Sequence, residues 1–490
     1  MKKYMVMFTF LLVFMSVITF SKAYANEGDN SLKLKIEEME RQLMDLKEQF
    51  EKQEETSKAE KKELQALREE VRGLVPGEEF YWAKRAQELK EKGLAPYFGG
   101  VETKPFLRRI GRNTYLGGYM DMELEFDEGS QTNKTFDQHR LIPFIYSDVS
   151  DRVKFATEIE IEHGGTDTQD GVFTGKKGEL KIEFATIDFL MTDWLNYRGG
   201  IVLSPLGKFN LVHDSPLQDL TDRPMVDTFI IPTTLSESGM GFFGTFYPTE
   251  LSKVDYEIYA VNGFQSILDS TSVITDTTSV SQIEGFIRNS RGSKQVDNNT
   301  NPAIVGRVAY SPFLGLDLGL SLHTGYIDDI DSNRMTIKAF DWTYQKGPFE
   351  LVGEYAHASI ERDGLLADGT PKNEVMSGDM WGYYIEPRYH FMPQFLRDLA
   401  PSIFKEDSTF TGVLRWGEVN INQPFNVASE GDIMRTRLTT GINWRYTEDT
   451  VFKAEYQINT EHGRRLRAEH PERGTDISSN SLVFSVATYF

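Results

Sequence analysis

The stretch that decides the fold is the C-terminal decapeptide SLVFSVATYF, residues 481–490, in which apolar side chains alternate with small or polar ones. A period of two is typical of a β-strand with one apolar face. That face carries Leu482, Phe484, Val486, Thr488 and Phe490, and the other carries Ser481, Ser485 and Ala487. Because an unpaired backbone edge is unfavourable in lipid, the pattern predicts a final strand that closes a barrel. The last strand of a buried sheet would fit this decapeptide equally well by itself.

The N-terminus predicts export. Lys2 and Lys3 precede an apolar run over residues 4–20, and the small-x-small sequence AYA follows at residues 23–25. This order of charge, apolar run and small residues is typical of a secretory signal peptide, predicted here over residues 1–25. A retained membrane helix is the alternative, since the apolar run is almost long enough to span.

Composition restricts how the chain could cross a membrane. The 490 residues carry a net charge of −21, and the mean hydropathy is −0.41. After residue 25 no apolar stretch is long enough for a spanning helix, so any span must consist of strands, whose alternation escapes hydropathy averages. The acidic balance argues against nucleic acid as a partner. Disulfides are excluded because the chain contains no cysteine.

A heptad repeat follows the predicted signal peptide. One core position is occupied by Ile36, Leu43, Phe50, Ser57, Leu64 and Val71, and the other by Leu32, Met39, Leu46, Gln53, Glu60, Leu67 and Leu74. The strict spacing predicts a periplasmic coiled coil over residues 26–77, and a helical linker over residues 78–114. A single amphipathic helix lying on a partner is the alternative.

From residue 115 to residue 490 the chain predicts an all-β membrane protein, an antiparallel transmembrane β-barrel of about sixteen strands. The strands are predicted near residues 115–127, 135–146, 152–163, 179–190, 196–204, 239–247, 252–263, 303–311, 315–327, 334–344, 348–360, 378–390, 409–420, 432–446, 449–461 and 479–490. Connections after odd-numbered strands are mostly long and polar, and those after even-numbered strands are mostly tight. This asymmetry is typical of outer-membrane barrels.

Strand parity assigns charged side chains to the lumen. The predicted acidic pore-lining residues lie on early strands and are Asp121, Glu123, Glu125, Glu158, Glu160 and Glu162. The predicted basic pore-lining residues lie on late strands and are Arg415, Arg435, Arg437, Arg445 and Lys453. Solutes in such a lumen would cross a transverse field between the two walls.

Aromatic residues recur where even-numbered strands end. They are Phe144, Tyr146, Phe246, Tyr247, Tyr310, Trp342, Tyr344, Tyr389, Phe391, Trp444, Tyr446, Tyr489 and Phe490. Amphipathic rings favour a membrane–water interface, so the pattern predicts an aromatic belt at the short-turn end of the barrel. Scattered core aromatics of a soluble β-sandwich are the alternative.

One long connection, residues 205–238, is unusually apolar for a surface loop and is rich in proline. It predicts a constriction loop that folds into the lumen; a loop that packs on the rim or on a neighbouring subunit is the alternative. Its candidate lining residues are Lys208, His213, Asp214, Asp219, Asp222, Arg223 and Asp227.

The sequence RTRLTTGINWRYTEDTVFKAEYQ, residues 435–457, resembles the penultimate hairpin of the phosphate-selective porin O and P family. The heptad region resembles the helical preface of trimeric diffusion porins. These resemblances imply an outer-membrane porin that forms a homotrimer. They also imply that Phe490 is the signal by which the barrel-assembly machinery recognises the chain. Phosphate selectivity in that family rests on crowded cations, whereas this lumen is predicted to carry both signs of charge.

The sequence therefore predicts a porin of the cell outer membrane, embedded in lipid, for passive diffusion of small hydrophilic solutes or ions. No cofactor or metal is expected. The alternative is an envelope tether whose coiled coil reaches toward peptidoglycan. An enzyme is not expected, because no nucleophile accompanies the strand histidines His163, His323, His357 and His390. Asp167, Asp170, Asp328, Asp329 and Asp331 are read as solvated loop residues, with calcium binding as the alternative.

Overall fold

The computed structural model describes residues 108–109, 113–127, 134–164, 178–249, 251–266, 286–365, 369, 372, 377–405, 408–421, 434–462 and 477–490. The predicted signal peptide, the predicted coiled coil and most of the predicted linker lie outside these residues. In this part of the chain, no helix has the length and apolar character needed to cross a membrane.

The described residues form one antiparallel sheet of sixteen long strands. The strands are β1 (Thr114–Asp127), β2 (Thr135–Asp148), β3 (Val153–Glu162), β4 (Glu179–Leu190), β5 (Asn196–Leu203), β6 (Ser236–Thr249), β7 (Ser252–Val261), β8 (Ala303–Phe313), β9 (Leu316–Tyr326), β10 (Arg334–Lys346), β11 (Phe349–Ile360), β12 (Asp379–Phe391), β13 (Thr409–Asn420), β14 (Met434–Thr447), β15 (Thr450–His462) and β16 (Ile477–Tyr489). Each strand pairs with its neighbours in sequence, so every connection is a hairpin.

The sheet closes between its last and first strands. β16 pairs antiparallel with β1 along most of its length. Where β16 ends, Phe490 and Gly118 exchange two backbone hydrogen bonds of 2.9 and 3.1 Å. A two-residue strand, Arg108–Arg109, then continues along β1 opposite Leu116 and Tyr115. The predicted closed barrel of sixteen strands is confirmed.

Side chains alternate between the two faces of the barrel, as β15 illustrates. Phe452 and Tyr456 point outward and are exposed, whereas Lys453, Glu455 and Gln457 point inward and are buried. The same alternation places apolar side chains outside and charged ones inside on most strands. Outer and inner faces therefore differ in polarity as the sequence pattern predicts.

The connections divide the barrel into two ends. The turn end carries the connections after even-numbered strands, six of which run from two to five residues by the strand bounds. The loop end carries the connections after odd-numbered strands. One connection at the turn end is long, because residues 392–408 contain a helix. The helices of the described residues are α1 (Lys208–Leu211), α2 (Val226–Phe229), α3 (Phe286–Asn289) and α4 (Gln394–Leu399), together with a 3-10 turn (Ser215–Leu217).

The predicted aromatic belt is wrong for three of its members. Phe144 and Tyr146 alternate in step with the inward-facing Ile142, and they are fully buried. Tyr489 also faces inward, and its ring lies 6.3 Å from that of Phe144. These rings fill the interior at the turn end. The exposed members of the predicted belt are Phe246, Tyr247, Tyr310, Tyr344, Tyr389 and Phe490.

Closure of the barrel depends on the absence of a side chain at Gly118. A Cβ atom there would lie 2.5 Å from the Ile142 carbonyl oxygen and 2.6 Å from the Phe490 ring. We expect Gly118→Val to destabilise the closed sheet by about 1–3 kcal/mol through overpacking. The melting temperature in detergent and heat-dependent gel mobility measure this loss. Gly412→Val on β13 is the matched control, because no atom lies within 4 Å of its Cβ position. Equal stability of the two variants would contradict the prediction.

Candidate functional site

Residues 204–235, here named the inner loop, connect β5 to β6 and fold into the barrel. The loop contains α1, the 3-10 turn and α2. It hydrogen-bonds to inward side chains on distant strands, including Ser321 on β9 and Glu455 on β15. The sequence predicts the loop at residues 205–238, whereas β6 begins earlier, at Ser236. The difference arises because residues 236–238 are polar and carry no apolar alternation.

Apolar side chains hold one side of the inner loop against the wall. The loop residues on this side are Leu206, Met225, Val226, Ile230, Ile231 and Leu235, all buried. They share one apolar cluster with inward residues of β8 and β10–β13, namely Val305, Ile337, Ala339, Ala356, Ala358, Met380, Tyr384 and Val419. This cluster explains the apolar content of the predicted constriction loop. On this side the interior is packed with side chains.

The start of α1 is fixed to β11 and β9. The backbone N–H groups of Lys208 and Phe209 donate to Glu354 Oε2 at 3.1 and 3.2 Å. Lys208 Nζ donates to Asp317 Oδ2 at 2.9 Å. Gly207 precedes them with a φ of 73°, and a Cβ atom there would overlap the Glu354 carboxylate. A glycine is therefore required where the loop meets this wall.

Asp219 anchors the middle of the inner loop to two strands, β12 and β14. Its carboxylate lies 3.1 Å from Arg388 Nη1 on β12 and 3.0 Å from Arg445 Nη2 on β14. Asn443 Nδ2 donates to the same carboxylate at 3.0 Å. Burial raises the strength of such charge-assisted bonds because water does not screen them. One loop carboxylate thus neutralises two wall arginines.

Asp222 makes a second ionic contact with the late strands. Its carboxylate lies 3.1 Å from Arg437 Nη1 and accepts a 2.8 Å hydrogen bond from Gln457. Its carbonyl oxygen accepts a 2.6 Å hydrogen bond from Arg415, which also pairs with the buried Glu386. Two of the predicted pore-lining arginines, Arg415 and Arg437, therefore bind the inner loop through Asp222.

The remaining predicted basic residues are also paired. Lys453 Nζ donates to the carbonyl oxygens of Ser215 and Leu220 at 2.8 and 3.2 Å. Arg435 forms a 2.7 Å ion pair with Glu461 on the neighbouring strand. The Arg435 guanidinium also lies 4.8 Å from the centre of the Phe229 ring in the inner loop. All five predicted cations therefore contact the inner loop.

The inner loop also reaches β4 and the last strand, β16. His213 Nε2 lies 2.8 Å from Glu183 on β4, and Tyr489 on β16 donates to Asp214 at 2.8 Å. Asp227, in the first turn of α2, is fully buried. The loop thus touches walls on several sides of the barrel.

The predicted acidic residues divide into a buried and a more open group. Glu158, Glu160 and Asp121 are at most 2% exposed. Glu160 lies 2.6 Å from Lys181 Nζ, and Arg140 lies 3.2 Å from Glu162. Cations on β2 and β4 therefore neutralise part of the acidic wall. Glu123 pairs with His139 at 2.9 Å, and Glu125 is exposed.

Arg223 is the cation that the inner loop presents toward the early strands. It donates to the Thr233 carbonyl oxygen, which also accepts a 3.0 Å hydrogen bond from Arg288 in α3. Its Nε and Nη2 atoms are buried and make no hydrogen bond within the described residues. Arg291 donates to the Thr234 carbonyl oxygen at 3.2 Å. The loop and residues 286–291 thus bring three arginines together.

Several charged inward side chains are open to solvent. Lys208 and Asp317, near β9, are 34% and 28% exposed. A second group lies away from β9. The side chains of Asp222, Lys181, His139, Arg437 and Glu162 are 39%, 27%, 25%, 24% and 17% exposed. They come from the loop, from β2–β4 and from β14. Both signs of charge are represented.

Sequence reasoning missed Arg140, Lys181, Glu354 and Arg388. Strand parity places each of them inward, so the alternation itself was a usable signal. What the sequence lacked was their pairing. Arg140 and Lys181 pair across adjacent strands, whereas Glu354 and Arg388 contact the inner loop.

The strand histidines are held by carboxylates. His323 lies 3.0 Å from Glu237. His390 lies 3.2 Å from Glu350 and 3.0 Å from the Thr411 hydroxyl, which is fully buried. A hydroxyl without solvent access is a poor nucleophile for an external substrate.

Asp328 organises the connection between β9 and β10. Its carboxylate accepts backbone hydrogen bonds from Ser332 and Asn333 at 2.9 and 3.0 Å, and Lys372 Nζ lies 3.2 Å away. Burial opposes the charged form, but the hydrogen bonds prevail and hold the pKa of Asp328 well below its usual range. Within the described residues, no group of three or more histidine, aspartate or glutamate side chains could hold a metal ion.

Comparison with known proteins gives few relatives in sequence. No family model matches the chain. An uncharacterized protein of Aquifex aeolicus is 26% identical over 328 residues, which is 64% of this chain and 69% of that protein.

Similar solved structures include several barrels. The match to the outer membrane channel DcaP of Acinetobacter baumannii covers 79% of this chain and 99% of that channel, with 12% identity and a TM-score of 0.46. The anion-selective porin from Comamonas acidovorans covers 77% and 99%, with 12% identity and a TM-score of 0.43. OmpF of Salmonella typhi, in complex with daunomycin, covers 79% and 100%, with 11% identity and a TM-score of 0.47.

The pKa of Asp328 leads to a prediction about pH. A carboxyl group whose pKa is lower in the folded than in the unfolded protein stabilises the fold at pH values above its unfolded-state pKa. That stability is lost only as the pH falls through the folded-state pKa. We expect the backbone amides of Ser332 and Asn333 to keep their hydrogen-exchange protection down to about pH 4, near the ordinary aspartate pKa. Asp328→Asn should lower the protection at neutral pH. Loss of protection with a midpoint near the ordinary aspartate pKa would contradict the prediction.

The two loop aspartates should differ in their contribution to stability. Asp219→Asn removes the carboxylate that pairs with the largely buried Arg445, at a cost on the order of 3 kcal/mol. It also removes one of three carboxylates beside Arg388, which keeps Glu386 and Glu350. Asp222→Asn, at a half-exposed site, should cost at most about 1 kcal/mol. Melting temperatures in detergent measure both variants. A smaller shift for Asp219→Asn than for Asp222→Asn would show that the assigned anchor is wrong.

Proposed function

We propose that the protein is an outer-membrane porin that allows passive diffusion of small hydrophilic solutes or ions through a charged lumen. The closed antiparallel barrel with an apolar outer face and a charged inner face is the observation that carries the proposal. A closed sheet satisfies every strand's hydrogen bonds internally, which lipid requires. Exposed outward residues such as Leu320 and Ile258 suit lipid, whereas Asp341 and Glu354 point inward.

The inner loop is proposed to be the constriction of this lumen. Support comes from its contacts with β4, β9, β11 and β12–β16, which place it across the interior. The apolar cluster fills the side that faces β8 and β10–β13. We therefore place the solute path on the other side of the loop. Asp222 and Arg437 border it on one side, and Glu162 and Lys181 of the early strands border it on the other.

Cellular setting and assembly follow from the same proposal. We propose that residues 1–25 direct export, that residues 26–77 form a periplasmic coiled coil, and that the chain assembles as a homotrimer. Phe490 is proposed as the signal for the barrel-assembly machinery. Its backbone contacts at the end of the closing strand support a role in assembly rather than in transport.

Single-channel recording in planar bilayers tests the proposed function. The purified full chain should insert and conduct ions without an energy source. Stable insertion with no conductance would overturn the proposal.

Ion selectivity should respond oppositely to two neighbouring charges. At 4 Å in water one unit charge changes the energy of an ion by about 1 kcal/mol, which corresponds to a roughly fivefold change in permeability ratio. Asp222→Asn should therefore shift the reversal potential under a salt gradient toward anion preference, and Arg437→Gln toward cation preference. Glu350→Gln is the control for loss of a charge away from this path, because Glu350 lies at the turn end, where it pairs with His390 and Arg388. Equal shifts for all three variants would contradict the proposed path.

A further inference from the structure

The long connection at the turn end differs from the other connections at that end. Residues 392–405, here named the rim segment, have the sequence MPQFLRDLAPSIFK and contain α4. The other turn-end connections run from two to five residues by the strand bounds. A hairpin between β12 and β13 does not need this length. The additional residues therefore call for a reason other than connecting two strands.

The rim segment carries an exposed apolar stripe. Phe395, Leu399 and Ile403 are 67%, 78% and 46% exposed. Their spacing of four residues places them on one side of α4 and of the turn that continues it. Large apolar side chains that adjoin one another at the surface are unfavourable in water. This stripe therefore needs an apolar or interfacial environment.

The end of the rim segment lies on the outer wall of the barrel. The Phe404 ring is 5.3 Å from Trp444 and 6.1 Å from Phe410. Both partner rings are on the outward faces of β13 and β14, and Phe391 and Phe452 extend the same group. The stripe is thus continuous with an aromatic cluster on the outer face.

Continuity and charge together favour lipid as the covering partner. The outer wall beside the cluster carries exposed Ile385, Leu414 and Ile442, so whatever covers that wall reaches the rim segment as well. Lys405 Nζ lies 4.8 Å from the centre of the Tyr446 ring. Apolar, aromatic and basic side chains in one short segment are typical of the headgroup and acyl-chain boundary of a membrane.

We propose that the rim segment is a membrane-interface anchor that inserts Phe395, Leu399 and Ile403 into the lipid leaflet at the turn end. The anchor rests on the membrane location in the proposed function, but not on conduction. It would fix the depth of the barrel in the membrane at β12–β13, where Phe404 connects the segment to the wall. A second copy of this chain, or another protein, would be the partner if lipid were not.

Site-directed fluorescence tests the anchor in the full chain, which has no native cysteine. A single cysteine introduced as Leu399→Cys carries an environment-sensitive label, and the protein is reconstituted into phospholipid vesicles. Lipids brominated near the headgroup should quench this label strongly, and aqueous iodide should quench it weakly. Strong quenching by iodide, or shielding from iodide without quenching by the lipids, would overturn the proposal.

Two further labels keep the outcome interpretable. Leu320→Cys lies on the outward face of β9, and lipids brominated deep in the acyl chain should quench it. Leu365→Cys lies in the connection after β11, is 61% exposed, and should be quenched severalfold more by iodide than Leu399→Cys. If Leu320→Cys is quenched by lipid and Leu399→Cys is not, the anchor alone is wrong. If neither is quenched by lipid, the membrane location fails and the anchor fails with it.

Discussion

Closure of the sheet between β16 and β1 is the constraint on which the rest of the structure depends. A strand edge left open would expose a row of unpaired backbone groups. Here Phe490 exchanges backbone hydrogen bonds with Gly118, and Arg108–Arg109 continues the strand pairing along β1 beyond Phe490. Because the strands of this closed sheet are extended, their side chains must alternate between two faces. Polarity of the outer and inner faces then follows from sequence parity alone.

A charged inner face creates a second requirement, because buried charges need partners. Neighbouring strands supply some, as Arg435 does for Glu461. The inner loop supplies the rest through Asp219, Asp222 and its backbone carbonyl groups. Apolar burial fixes the opposite side of the loop. The loop is therefore held by two unlike interactions, and neither alone accounts for its position.

The sequence predicts the local features well and the distant contacts poorly. Period-two alternation locates all sixteen strands because each strand carries its own signal. It fails at residues 236–238, where polar residues conceal the start of β6. Position near a strand end also misplaces Phe144 and Tyr146, since an aromatic residue there suits either face. The pairing of Asp219 with Arg388 joins residues far apart in the chain, and no short-range pattern encodes it.

Under the proposed function, the pairing of wall and loop couples pore size to ion selectivity. Arg445 both faces the interior and holds Asp219, so removing its charge would also release the loop. The same holds for Lys453, which binds two loop carbonyl groups. Only a charge whose side chain is open to water, such as Asp222, acts on a passing ion without carrying most of the loop's attachment. A count of inward arginines therefore overstates the cationic character that a solute meets, because these arginines already bond to the loop or to carboxylates of the wall.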